Sequence, residues 1–163
     1  MQGIRIPYET DEAGAKLVAA IRRVQSCAVR TAYANAVRDD GTKRPEKDVR
    51  EIVKSRFAKL GVVDSWALHC ATRIGLARRK TRPDGDVVFG GRAMLERRRK
   101  GLIGNDQWRA ARLGPFVSYG DRQKPLGNQN VQLIDELTLV VKIGRKDGGG
   151  RSGRTVTDRA VPK

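Results

Sequence analysis

Histidine, cysteine and aromatic residues are all scarce in this chain, and each shortage removes a class of function. The one histidine, His69, and the two cysteines, Cys27 and Cys70, cannot supply the four ligands, or three plus a water, that zinc takes at recognisable spacing. His69 and Cys70 read instead as ordinary residues of one helix, Cys70 as a small buried hydrophobe, and no metal or cofactor is expected. At 5% of the chain, aromatic side chains are too few for a continuous platform under single-stranded bases. No window approaches the ~20 apolar residues of a membrane span. Met1-Gln2-Gly3-Ile4-Arg5 has no apolar signal region, and free thiols suit a reducing compartment, so a cytoplasmic location is expected. A nucleophile motif, a histidine constellation and a phosphate-cradling GxxxxGK[ST] loop are also missing. Neither an enzymatic site nor a small-molecule substrate is expected.

Negative charge is short as well: 18 acidic residues face 34 lysines and arginines, a net charge of +16 on 163 residues. Self-repulsion at such a charge opposes compaction, so it persists where a polyanion neutralises it, and nucleic acid is the commonest such partner. An acidic membrane surface is the rival, but it would call for a basic helix with large apolar residues opposite its charges. A partner membrane is therefore not expected. At 39% apolar residues the chain can build one domain, or two small ones, around a thin core.

Along the chain, Ile4 and Ile6 alternate with Arg5 in a short strand pattern that Pro7 pushes to a sheet edge. Thr10-Asp11-Glu12 supplies capping oxygens, and Leu17, Ile21, Val24 and Ala28 recur at helical spacing through Tyr33. The opposite face carries Lys16, Arg22, Arg23 and Arg30. Pro45 fits the first turn of a second helix with a stripe of Val49, Ile52, Val53, Phe57 and Leu60, ended by Gly61. Asp64 or Ser65 caps a third, with Trp66, Cys70, Ile74 and Ala77 on its stripe and Arg78-Arg79-Lys80 complementing the dipole at its end. Trp66 reads as core, with base stacking as the alternative.

Val87-Val88-Phe89 is predicted as a short buried strand stopped by Gly90-Gly91. A very basic helix through Arg97-Arg98-Arg99-Lys100 follows, closed by Gly101, then another capped by Asn105 and containing Trp108 and Leu113. From Pro115 the pattern becomes strand-like: Phe116 to Tyr119, then Val131 and Leu133, then Leu137, Leu139, Val141 and Ile143. The glycine-rich basic stretch from Gly148 predicts disorder, or an arm that orders on nucleic acid.

Phe89-Gly90-Gly91-Arg92, the basic hairpin through Leu95, Arg98, Lys100-Gly101-Leu102-Ile103 and Trp108, then Ser118-Tyr119-Gly120-Asp121 and Gly127-Asn128-Gln129-Asn130, stand in a telling order. In that order they resemble the N-terminal half of TnpB-like transposon nucleases and compact type V CRISPR effectors, in which a glycine turn, a basic helical hairpin and a strand pair succeed one another. The resemblance spans about residues 1–147 and is strongest over 87–144. It implies an α+β fold: a small antiparallel, wedge-like β-barrel with an inserted α-helical recognition lobe. Residues 1–8 would be the first wedge strand, 9–114 the helical lobe, 115–147 the remaining wedge strands and 148–163 a disordered basic tail.

That family cleaves DNA with three acidic residues of a RuvC-like domain, and no counterpart is visible here. Asp84 with Asp86, and Asp135 with Glu136, sit in turns rather than on several strands of a scaffold. The resemblance therefore implies a non-catalytic half whose partners are guide RNA and DNA, together with a separately encoded RuvC-like nuclease half. Base pairing would read the sequence while the protein holds the backbone. The alternatives are a free-standing DNA- or RNA-binding regulator, a phage protein or a ribosome-associated protein. Arg92, Arg97, Arg98, Arg99, Lys100 and Arg109 are the candidate backbone contacts, because a guanidinium fork pairs with phosphate. Lys124, Asn128, Gln129 and Asn130 are candidates for base edges or RNA hydroxyls, and Tyr119 and Trp108 for stacking.

Overall fold

The computed structural model describes residues 8–9, 11–82, 87–120, 131–133, 138–142 and 155–160. Helix formation begins where local chemistry provides for it. Asp11 accepts the Gly14 amide at 2.6 Å and starts α1 (Glu12–Ala34), with Glu12 in the first turn. Pro45, which has no amide proton to leave unpaired, starts α2 (Glu46–Phe57). That helix tightens into a 3-10 turn over Ala58–Leu60 and stops at Gly61, whose φ of +62° belongs to the left-handed region. Asp64 accepts the Ala67 amide at 2.8 Å and starts α3 (Ser65–Thr81).

These three helices make the core. Val49, Val53 and Phe57 of α2 turn inward against Ile21, Ala28, Val29 and Ala32 of α1 and Ala67, Leu68 and Ala71 of α3. The stripe predicted for α3 is rotated in the fold. Cys70 is buried, but Ala77 is exposed and the packing row is Ala67, Ala71 and Gly75. Small residues carry little hydrophobic pattern, yet they let backbones approach. A Cβ placed on Gly75 would lie 2.6 Å from Ala32 Cβ and 2.7 Å from the Val29 carbonyl oxygen. Leu60, expected on the α2 stripe, is 54% exposed because the 3-10 turn carries it off that face.

Residues 113–120, expected in part as a strand, form no strand and instead run as a strap bound by helix side chains. The Gln25 amide, 2% exposed, receives the Val117 N–H on Oε1 at 2.7 Å and donates from Nε2 to the Val117 carbonyl at 2.6 Å. A side-chain amide thus exchanges the pair of bonds that a neighbouring strand would. Ser26 Oγ accepts the Gly114 amide at 2.9 Å, and Arg30 donates to the Arg112 carbonyl at 3.2 Å. The strand expected at Val87-Val88-Phe89 is also absent. Val87 donates its amide to Tyr33 Oη at 3.1 Å, and Phe89 meets the Tyr33 ring edge-on with centroids 5.5 Å apart.

Strands β1 (Tyr8–Glu9), β2 (Val131–Leu133), β3 (Thr138–Lys142) and β4 (Thr155–Ala160) form an antiparallel sheet in the order β1-β4-β3-β2. Val131 opposes Val141, Val141 opposes Val156, and Tyr8 opposes Ala160. Among the described residues β1 and β2 are open edges, so the sheet does not close. This overturns the expected α+β fold built on a small β-barrel: the described chain is mostly helical, with a few short strands in an open sheet. The apolar segment at 116–119, expected among the wedge strands, packs on helices rather than on strands, as does the segment at 87–89. Within 148–163, expected to be disordered, Thr155–Ala160 is an interior strand. Its alternating Thr155, Val156 and Thr157 offer β-prone side chains that the glycine-rich stretch before them concealed. Residues 1–7, Leu137 and Ile143 of the expected wedge strands lie outside the described residues. Among the described residues no helix is long and apolar enough to cross a membrane.

Candidate nucleic-acid interface

The basic hairpin begins at a turn that only glycine can make. Gly91 donates to the Val88 carbonyl at 2.9 Å, and Gly90 and Gly91 hold φ of +98° and +86°. Gly90 is constrained by space as well, because a Cβ there would lie 3.0 Å from the Trp108 ring and from Arg112 Cγ. Helix α4 (Arg92–Arg99) follows and ends at Lys100 and Gly101, the latter at φ +70°. Gly104 then leads into α5 (Asn105–Ala111) rather than the expected cap, Asn105, which is its first residue. Between the two helices Ile103 is buried at 6% exposure, whereas neither helix contributes a buried residue of its own.

The candidate cations divide into two groups. Arg92, Arg97, Arg99 and Lys100 are exposed, and among the described residues no carboxylate lies within ion-pair distance of them. Arg98 and Arg109 are engaged within the hairpin. Arg98 is half-buried, and its Nε and Nη2 both donate to Asn105 Oδ1, the former at 3.1 Å, tying the end of α4 to the start of α5. Arg109 pairs with Asp106 at 3.3 Å across an exposed surface, a contact of small energetic weight. Trp108 is half-buried, packs against Gly90 and has the Arg112 guanidinium over its ring, 5.6 Å from ring centroid to Cζ. Tyr119 is 42% exposed, with the Arg73 guanidinium 5.7 Å from its ring centroid. Lys124, Asn128, Gln129 and Asn130 lie outside the described residues.

The fold also gathers cations outside this set. Arg78, Arg79, Lys80 and Arg82 crowd the C-terminal end of α3, where the helix dipole offsets part of their mutual repulsion. On one side a cleft of about 350 Å³ places Arg78 and Arg82 beside Arg92 of α4. On the other, a groove of about 690 Å³ joins Arg79 and Lys80 to Lys43 and Arg44 over a floor of Ala36, Val37 and Leu76. Neither lining includes a carboxylate among the described residues. Two of these arginines are positioned by the C-terminal end of α1. Arg79 donates to Tyr33 Oη at 3.3 Å, and Arg44 donates to the Asn35 carbonyl at 3.1 Å. The Arg78-Arg79-Lys80 run was legible as a dipole complement, but its approach to Lys43 and Arg44 follows only from helix packing.

The one histidine and both cysteines also find structural partners. Cys70 is buried, burial pushes its thiol up from the ordinary range, and its Sγ accepts the Tyr119 amide at 3.4 Å. His69 stacks on Trp66 with ring centroids 5.3 Å apart and planes 14° from parallel. Burial likewise pulls the Arg30 guanidinium down from its ordinary value, where it donates to Cys27 Sγ at 2.9 Å. No family model, no curated protein and no solved structure matches this chain, which leaves the geometry of its own side chains as the basis for a functional reading.

Proposed function

We propose that this chain binds nucleic acid through the phosphate backbone and performs no chemistry on it. The observation that carries the reading is the exposed group Arg92, Arg97, Arg99 and Lys100, which has no carboxylate partner among the described residues and sits on and beside an eight-residue helix without a buried face. Like charges packed so closely oppose one another, and a polyanion relieves them. Arg92 and Arg99 stand seven residues apart, two turns of helix or roughly 10 Å along its axis, and so present their forks on one side. Arg78 and Arg82 extend the same charge across the neighbouring cleft.

A narrower form of the proposal follows from the sequence resemblance: the ligand is a guide RNA and its hybrid with DNA, held for a nuclease half encoded elsewhere. A free-standing DNA- or RNA-binding protein is the alternative. RNA recovered with the purified chain separates the two, since a short structured transposon-end or repeat RNA supports the first and ribosomal RNA or none refutes it.

The backbone reading is tested by titrating RNA and duplex DNA at several salt concentrations. Log affinity should fall with log salt by about 0.9 per phosphate neutralised on duplex. The variant R97A/R99A/K100A should lower that slope by about 3 without altering sequence preference. A flat salt response, or a slope unchanged in the variant, refutes the reading.

A further inference from the structure

Three rings meet on one partly exposed side of α3. Trp66, His69 and Arg73 recur at three- and four-residue spacing along the helix, and the strap lays Tyr119 beside them. Trp66 Nε1 donates to the Tyr119 carbonyl at 2.9 Å, Trp66 and His69 are stacked, and Arg73 lies over the Tyr119 ring. Trp66 and His69 also wall a groove of about 260 Å³ between α2 and α3, with Arg50 and Lys54 of α2 on its rim. Aromatic side chains make up only 5% of the sequence, and gathering two of them with the one histidine on a partly exposed face is not explained by the core, which lies on the Ala67, Ala71 and Gly75 side.

We infer that this face, the Trp66–His69 pair with Tyr119 and Arg73, is a stacking site for unpaired bases of single-stranded nucleic acid. The inference rests on the backbone-binding reading and adds to it where a strand lies and in what form. The indole N–H is committed to Tyr119 and one face of the ring to His69, so Trp66 is held in a set orientation and its opposite face is the one proposed to take a base. Such a site tolerates any base and excludes a duplex, whose bases already stack on one another. Arg50, Lys54 and Arg73 supply charge for the phosphates on either side. Glu51 on the same rim and Glu46, 4.0 Å from His69, confine those phosphates to the cationic positions.

The test compares two oligodeoxynucleotides of equal length and phosphate number, one complete and one built of abasic sites. The unmodified protein should bind the complete strand at least tenfold more tightly, the scale of one base stacked on an aromatic ring. Trp66→Leu and Tyr119→Leu should bring the ratio close to one with the salt slope unchanged, whereas Trp66→Phe, which keeps a ring, should retain most of the preference. A ratio near one in the unmodified protein, at a normal salt slope, overturns the stacking site and leaves the backbone reading intact. A preference that survives in both leucine variants also overturns it. Failure of both strands to bind, with no salt dependence, overturns the backbone reading itself. A ratio near one in the unmodified chain is decisive without any variant, so the proposal stays open to refutation even if a variant does not fold.

Discussion

The α1–α3 bundle and the α4–α5 hairpin are both helical and both basic, yet different interactions hold them. In the bundle, alanines and a glycine bring α1 and α3 together so closely that a methyl group at Gly75 would overlap the α1 backbone. In the hairpin Ile103 is the one buried apolar side chain among the described residues, and an arginine-to-asparagine contact does the joining. The bundle can therefore carry charge on its rim at little risk, because its packing supplies the stability. The hairpin carries a higher density of charge on less support. That combination suits an element that gains stability when a polyanion arrives.

The contrast can be broken most forcefully at Gly75. Gly75→Ala should destabilise the chain by about 3 kcal/mol, because the contacts it creates include backbone atoms that cannot step aside. Gly104→Ala, with open space around it, should cost less than about 1 kcal/mol. Thermal unfolding of the two variants measures the difference, and equal midpoints would mean that α1 and α3 do not cross at Gly75.

The next largest effect is expected at the strap. Gln25→Leu keeps the volume but leaves the Val117 amide and carbonyl without partners, at a cost of about 2 kcal/mol. Hydrogen exchange should show the Val117 amide losing protection ahead of the α1 and α3 amides. Protection lost uniformly would show that the strap is not a separable unit.

The smallest effect sharpens the comparison from the hairpin side. Arg98→Ala and Asn105→Ala should each destabilise by about 1 kcal/mol, and the double variant by no more than either alone. Additive losses would show that the two residues act separately. Nucleic-acid affinity should change less in Arg98→Ala than in Arg97→Ala, because the Arg98 fork is already spent on Asn105.

Much of the helical region was readable along the chain because its signals are local. Asp11, Pro45, Gly61, Asp64 and Gly101 each act on a neighbouring turn, and all five stand at helix ends. The strand expectation fails where strand-prone residues have a different outlet. Phe116 to Tyr119 is rich in β-prone side chains, but Gln25, 92 residues before Val117, takes the bonds that a strand partner would have made. Of the candidate interface, the run of like charge at Arg92, Arg97, Arg99 and Lys100 was legible, and these residues are exposed. Lys43, Arg44 and Arg82 were not chosen, because no sequence window contains both sides of a groove.

What the sequence determined by itself was the excess of positive charge, the helix ends and the shortage of metal ligands, since composition and capping need no distant contact. Only the tertiary structure decided which arginines are engaged among the described residues. Arg98 and Arg97 are neighbours of one type, yet Arg98 is half-buried and bonded to Asn105 while Arg97 is exposed. It also decided that Tyr119 comes to rest beside Trp66, a contact 53 residues long that rests on the strap and on the close crossing at Gly75. The physical reason is common to both. Small and polar residues have no hydrophobic period to betray them, and their effect depends on what the rest of the fold places opposite.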